Sequence, residues 1–233
     1  MPRIALLSDP HANRYALDIV IKTLEAQSPD LWVCLGDLVG YGPEPAAVID
    51  MIRETDMICV KGNHDAGVTG ELTLKHFRDP NRSLIEKTRE LISPEQLEYL
   101  KSLPYTVENE YFVAAHATPV EPDKWKYVES AFTARDILSR TEKELVFIGH
   151  THKPVLVSQS FGKMDFIKGG KYLINPGSVG QSRDGDYRAS CAIVDTDNWE
   201  YKNFRLDFEL EPVLTGLNKL GFSRRDASRM MKG

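Results

Sequence analysis

Hydrophobic positions in the first sixty residues alternate between two rhythms. Ile4 to Ser8 begins with a short apolar run, after which Leu17, Val20, Ile21 and Leu24 recur at the i, i+3, i+4, i+7 spacing of an amphipathic helix. A second run, Leu31 to Leu35, precedes Val48, Ile49 and Ile52 on one helical face behind Pro43 and Pro45, and a third covers Met57 to Val60. The pattern predicts two βαβ units. Such units favour a parallel, twisted sheet covered by helices, with ligands bound beyond the C-terminal strand ends. From about Asn81 to Leu103 the spacing is helical, and Ser93-Pro94-Glu95-Gln96 supplies an N-cap, a first-turn proline and the reciprocal glutamine of a capping box.

Beyond Tyr105 short strands take over. They are Tyr111 to Ala115, Leu145 to Ile148, Val155 to Gln159, a pair of runs turning at Gly169-Gly170, Ala189 to Val194 and Trp199 to Leu206. A helix over Thr133 to Leu138 interrupts them, with Thr133 and Asp136 spaced as a capping box. The segment from Pro212, with Ser223 and Asp226 at the same spacing, predicts one or two short helices in a tail over about 207–233. Two sheets with helices outside make this an α/β protein, a four-layer αββα sandwich. With no repeat and no low-complexity linker, residues 1–233 read as a single domain.

Composition narrows the class of function. With 42% hydrophobic and 27% charged residues and a mean hydropathy of -0.34, the chain fits an ordinary globular protein rather than a disordered or collagen-like one. No window approaches the roughly 18 apolar residues of a membrane span. The N-terminus lacks the apolar length and small-residue cleavage site of a signal peptide, so a cytoplasmic location is expected. Cys34, Cys59 and Cys191 are widely spaced inside apolar runs, as buried free thiols are. A net charge of -5 opposes tight binding to long nucleic acid. Homo-oligomerisation is left open.

The histidines carry the chemistry. Five of the six stand at or just beyond an apolar run: Asp9-Pro10-His11, Gly62-Asn63-His64-Asp65, His116, and Gly149-His150-Thr151-His152, with Gly36-Asp37 placed in the same way. A lone Asp-x-His or His-x-His is commonly a capped turn, but five such sites at five strand ends are hard to assemble by accident. If these segments are extended, residues i and i+2 point the same way, so Asp9 with His11, and His150 with His152, converge. Glycines before Asp37, Asn63 and His150 allow tight turns. Carboxylates, imidazoles and one amide without thiolate suit Mn, Fe, Zn, Co or Ni better than Ca or Mg. Seven donors exceed the need of one ion; two divalent ions bridged by Asp37 would use them all. His76 lacks this context and reads as a surface or helix residue. Asp65 reads equally as support for the site or as a turn residue, and Asn175-Pro176-Gly177-Ser178 as a turn.

This series of motifs, from Asp9 to His152, resembles the calcineurin-like metallophosphoesterase superfamily. The stretch around Asn175 to Val179 and Arg183 to Asp186 is similar to its small prokaryotic branch of phosphodiesterases and dinucleoside-tetraphosphatase-like proteins. The resemblance implies one metal held by Asp9, His11, Asp37 and His152, and another by Asp37, Asn63, His116 and His150, with manganese favoured. It implies that His64 lies beside the metals, protonating the leaving oxygen or steadying the transition state. It further implies hydrolysis of a phosphodiester or pyrophosphate-type bond in a small phosphate-ester substrate by metal-activated hydroxide. Two departures stand out: Pro10 and Ala12 replace the usual Ile and Gly, and Gly40 and Tyr41 stand where the superfamily's protein phosphatases carry Asp and Arg. The second departure argues against a phosphoprotein phosphatase. Arg183 or Arg188 could grip phosphate instead, or be surface residues. The competing readings are a phosphomonoesterase and a catalytically silent scaffold on the same fold; retention of every ligand opposes the scaffold.

Overall fold

A computed structural model describes residues 2–160 and 165–232. Strand β1 (Arg3–Leu7) shows how its layers arise. Ile4 and Leu6 face one way, into an apolar cluster with the second sheet, while Ala5 and Leu7 face the other, into a cluster with helices. Helix α1 (Arg14–Glu25) covers that outer face with Leu17, Val20, Ile21 and Leu24, and α2 (Pro45–Glu54) adds Val48, Ile49 and Ile52. Between them run β2 (Leu31–Cys34) and, after α2, β3 (Ile58–Cys59), both parallel to their neighbours. The two βαβ units are therefore present. A short helix, α3 (Asn63–Thr69), follows β3 directly and was not expected.

The helical middle is two helices, α4 (Asn81–Leu91) and α5 (Pro94–Ser102), with the expected Ser93–Gln96 capping box formed in both directions at the break. The second sheet begins with the unexpected edge strand β4 (Thr106–Glu108), followed by β5 (Phe112–Ala115). Helix α6 (Ala131–Ser139) starts earlier than expected. Ser130, not Thr133, is its N-cap, and Thr133 donates its backbone N–H to the Ser130 hydroxyl. Next come β6 (Leu145–Phe147), β7 (Pro154–Ser158), β8 (Tyr172–Pro176), β9 (Ala189–Asp195) and β10 (Glu200–Leu206).

The hairpin expected at Gly169-Gly170 is replaced by an antiparallel β7–β8 pair with a long connection. Residues 161–164 of that connection lie outside the described residues. Phe166 and Ile167 form no strand; Phe166 instead packs on Tyr172 and Trp199. The tail forms α7 (Leu210–Lys219) and α8 (Arg224–Lys232), the latter preceded by the Ser223–Asp226 hydrogen bonds. Their apolar residues close over Tyr41 and Leu84.

Two five-stranded mixed sheets result, in the orders β10-β9-β1-β2-β3 and β4-β5-β6-β8-β7. They meet face to face through Ile4, Leu6, Val33 and Val194 from one and Phe112, Phe147, Tyr172 and Ile174 from the other. Helix α6 covers the outer face of the second sheet with Ala134, Ile137 and Leu138. Helix, sheet, sheet and helix make the four layers expected. The three cysteines are buried free thiols.

Candidate metal centre

Each expected motif leaves the end of a parallel strand. Asp9 and His11 follow β1, Asp37 follows β2, Asn63 opens α3 after β3, His116 follows β5, and His150 and His152 follow β6. All are buried except Asn63, which is half-buried. They converge by a different route from the extended alternation expected. Asp9, His11, Asp37, His150 and His152 all have φ between 47 and 65, in the left-handed region that costs other residues than glycine of order 1 kcal/mol or more. Backbone hydrogen bonds hold two of these turns together: the N–H groups of Asp9, His11 and Ala12 donate to the carbonyls of Gly36, Asp37 and Leu38. Of the three preceding glycines only Gly36 adopts a positive φ, +86. Gly62 and Gly149 are required for closeness, since a Cβ would overlap Asp37 Oδ1 in one case and Ser8 Oγ in the other.

The histidine rings are fixed by their outer nitrogens. His11 Nδ1 is 2.9 Å from Val39 O, His152 Nδ1 is 2.5 Å from Gln181 O, His116 Nδ1 is 2.7 Å from Leu35 O, and His150 Nε2 is 3.1 Å from Trp125 O. A carbonyl only accepts, so each of these nitrogens carries the proton, and the opposite nitrogen of a neutral ring presents a lone pair. The opposite nitrogens face one another: His11 Nε2 and His152 Nε2 are 3.1 Å apart, as are His116 Nε2 and His150 Nδ1. Asp37 Oδ2 stands between the pairs, 3.6 Å from His11 Nε2 and 3.3 Å from His116 Nε2. Asp9 Oδ1 lies 3.3 Å from His152 Nε2.

Two donor groups emerge, each with atoms within 4.8 Å of one another: Asp9, His11, Asp37 and His152, and Asp37, His116 and His150. Asp9 Oδ1 and Asn63 Oδ1 are buried without a hydrogen-bond partner among the described residues. Buried ring nitrogens facing each other need positive charge between them, either a proton or a metal ion. The residues present therefore fit two imidazole- and carboxylate-binding ions sharing Asp37.

The electrostatics point the same way. Burial works to raise the Asp9 and Asp37 carboxyls, but the surrounding histidines outweigh it and hold both well below the usual range. Burial works to depress the His116 imidazole, yet Asp37 and Asp9 outweigh it and hold it up at about 10, so its contact to His150 holds a proton that a bound metal ion would displace. Burial, with the His116 charge, pushes His150 down to about 3, and burial pushes His11 down as well. The pocket therefore attracts positive charge at its centre.

His64 belongs to neither donor group. Its ring lies 4.9 Å from that of His11, 4.8 Å from Tyr41 and 5.0 Å from Phe77. Burial pushes it down to about 4, and its Nδ1 has no hydrogen-bond partner among the described residues. Asp65 is more than a turn residue. Its carboxylate accepts the N–H groups of Asp37, Leu38, Val39 and Gly62, which ties the loops after β2 and β3 together.

Several supporting residues escaped the sequence. Asn175 donates to Gly149 O at 2.7 Å and to Thr151 Oγ1 at 2.9 Å, steadying the His150–His152 turn. Ser8 Oγ donates to Asp9 Oδ2 at 2.6 Å. Trp125 and Tyr127 come from the loop before α6, and Tyr127 stacks on His150 with centroids 4.1 Å apart. Two aromatics beside prolines and charges in a loop following His116 were the available signal. Arg188 is occupied by Asp186 at 2.7 Å, whereas Arg183 turns inward and donates to the Tyr41 hydroxyl at 2.8 Å. His76 is exposed on a single 3₁₀ turn, as expected.

Residues 3–199 match the calcineurin-like phosphoesterase superfamily domain. An uncharacterised protein of Methanocaldococcus jannaschii is 34% identical over 218 residues, covering 89% of this chain and 88% of that protein. The crystal structure of a metallophosphoesterase from Sphaerobacter thermophilus superposes with a TM-score of 0.84 at 32% identity, covering 98% of this chain and 97% of the other. A hypothetical protein of Pyrococcus horikoshii shares the fold at a TM-score of 0.85 and 17% identity, over 99% and 97% of the two chains.

Proposed function

The chain belongs to the calcineurin-like phosphoesterase superfamily, and from that premise we propose that it hydrolyses a phosphodiester or pyrophosphate-type bond with two divalent transition-metal ions, manganese favoured. Asp9, His11, Asp37 and His152 would hold one ion, and Asp37, Asn63, His116 and His150 the other. The observation that carries this reading is the two pairs of facing imidazole nitrogens on either side of Asp37 Oδ2. When bound, the ions supply Lewis-acid charge and a water acidic enough to serve as nucleophile near neutral pH.

The chain's own residues do the rest. The backbone carbonyls behind the four imidazoles keep their lone pairs aimed inward, so the site does not reorganise as phosphate enters. Burial holds the His64 imidazole low, and an anionic phosphate beside it works in the opposite direction, toward the protonated form. In that form it would donate a proton to the departing oxygen. Gly40, at φ +88, makes room for the ring, because a Cβ there would overlap His64 Nδ1.

Charge favours the diester. Two divalent ions against the carboxylates of Asp9 and Asp37 leave about +2, which a nucleophile and a diester monoanion together neutralise and a monoester dianion overshoots. The Mn-loaded protein should show a higher kcat/KM on bis-p-nitrophenyl phosphate than on a phosphoserine peptide. A clear preference for the peptide would overturn the diesterase reading.

A further inference from the structure

Tyr41 is built into the metal centre without being one of its ligands. Its backbone is left-handed, with φ 54, a conformation that costs a bulky residue of order 1 kcal/mol or more and persists only where the surroundings impose it. The surroundings do impose it. The buried ring stands edge-on to His11 with centroids 4.6 Å apart and lies 4.8 Å from the ring of His64, while Leu84 of α4 and Val213, Leu214 and Leu217 of α7 join it in one apolar cluster.

The hydroxyl is held as firmly as the ring. Arg183 Nη2 donates to it at 2.8 Å and Asn81 Nδ2 at 3.1 Å. These two donors take up the oxygen's acceptor capacity, and a phenol at neutral pH still carries a proton of its own. That proton meets no acceptor among the described residues. A buried donor left without an acceptor is costly, and a ligand that only accepts removes the cost. Donation from a guanidinium also polarises the O–H bond and strengthens it as a donor. Arg183 is itself fixed, its Nε donating to Gln181 Oε1 at 3.1 Å, so the hydroxyl is already ordered when a ligand arrives.

Arg183 also lines a cavity of about 560 Å³ between the loop before α6 and the start of β7, and a ligand entering there arrives beside the group that holds the hydroxyl. Glu129 and Lys153 stand in the same wall, and their opposite charges leave the choice of an anion to the metal centre and the donors next to it. We propose that the Tyr41 hydroxyl is a catalytic hydrogen-bond donor to a non-bridging phosphoryl oxygen of the substrate, with Arg183 and Asn81 as the positioning residues that aim it. The proposal rests on the phosphoesterase reading, which brings the phosphoryl group beside His11 and His64.

Tyr41→Phe in the Mn-loaded protein tests it, because the change removes the hydroxyl and keeps the ring. Manganese content by elemental analysis should match the parent. Inorganic phosphate affinity by titration calorimetry and kcat/KM on bis-p-nitrophenyl phosphate should each fall roughly 10- to 100-fold, the loss expected for one hydrogen bond to a charged group. Asn81→Ala, which leaves the hydroxyl in place but frees its aim, should produce a smaller loss of both. Arg183→Leu should cost less in a Tyr41→Phe background than in the parent, because the part of its effect that runs through the hydroxyl is already gone.

Unchanged phosphate affinity and kcat/KM in Tyr41→Phe, or an Arg183→Leu loss of equal size in both backgrounds, overturns the proposal. So does loss of manganese from Tyr41→Phe, which would make the residue a structural support of His11. Turnover by the parent that Tyr41→Phe retains removes the donor and leaves the hydrolase; a parent that turns over no phosphoester yet binds phosphate through Tyr41 removes the hydrolase and leaves the contact.

Discussion

His64 and His11 lie with ring centroids 4.9 Å apart, yet their surroundings give them different work. His11 has its outer nitrogen tied to Val39 O and its inner one beside Asp37, whereas His64 Nδ1 meets no partner among the described residues. His64→Ala should therefore keep both metals. It should lose about 10²- to 10⁴-fold in rate on an alkyl diester, and distinctly less on bis-p-nitrophenyl phosphate, whose leaving group hardly needs a proton. Equal losses would mean that His64 stabilises charge on the phosphoryl oxygens instead. Asp37→Asn should lower metal content at both sites and His11→Ala mainly at one, as read by elemental analysis after dialysis. The identities of these residues were legible in the sequence because they stand at strand ends. Their backbone was not: left-handed turns at Asp9, His11, Asp37, His150 and His152 are fixed by hydrogen bonds between loops, and no local pattern encodes those.

Most helices were legible because each buries one face and so keeps a strict period, and the central strands because, buried on both faces, they stand out as continuous apolar runs. Where no such face exists, the reading failed. Strand β4 alternates exposed and half-buried residues at the sheet edge, and α3 is a single short helix whose first residue is already Asn63. Asn175 looked like turn chemistry because its bonds to Gly149 and Thr151 join segments far apart in sequence. Asn175→Ala should free that turn, and metal affinity should fall roughly 10- to 100-fold by isothermal titration, the range for groups that orient ligands. The β9–β10 turn makes a test independent of metal. Backbone N–H donation from Asn198, helped by Arg3, holds Asp195 down at about 2 against the opposing effect of burial. A carboxyl held below its ordinary value of about 3.9 stabilises the fold fully above that value and loses the contribution as pH falls through about 2. Asp195→Asn should therefore cost about 1 kcal/mol at pH 7 in urea unfolding, with the deficit shrinking between pH 4 and 2. A deficit unchanged at pH 2 would assign it to packing.

Across the molecule, the two sheets bring their parallel strand ends to one edge, so that β1, β2 and β3 from one layer and β5 and β6 from the other supply a single centre. Composition and periodicity predicted the layers, because apolar runs mark strands covered on both faces and one-sided helices supply the cover. They could not show the cavity beside α6 or the inward turn of Arg183, which depend on how a loop packs against the finished sandwich. The proposed chemistry depends most on Asp37 being shared. Anomalous diffraction from crystals of the Mn-loaded protein, with manganese counted by elemental analysis on the same preparation, tests that most directly. Two peaks about 3.5 to 4 Å apart on either side of the Asp37 carboxylate are predicted; a single peak, or none beside Asp37, would contradict it.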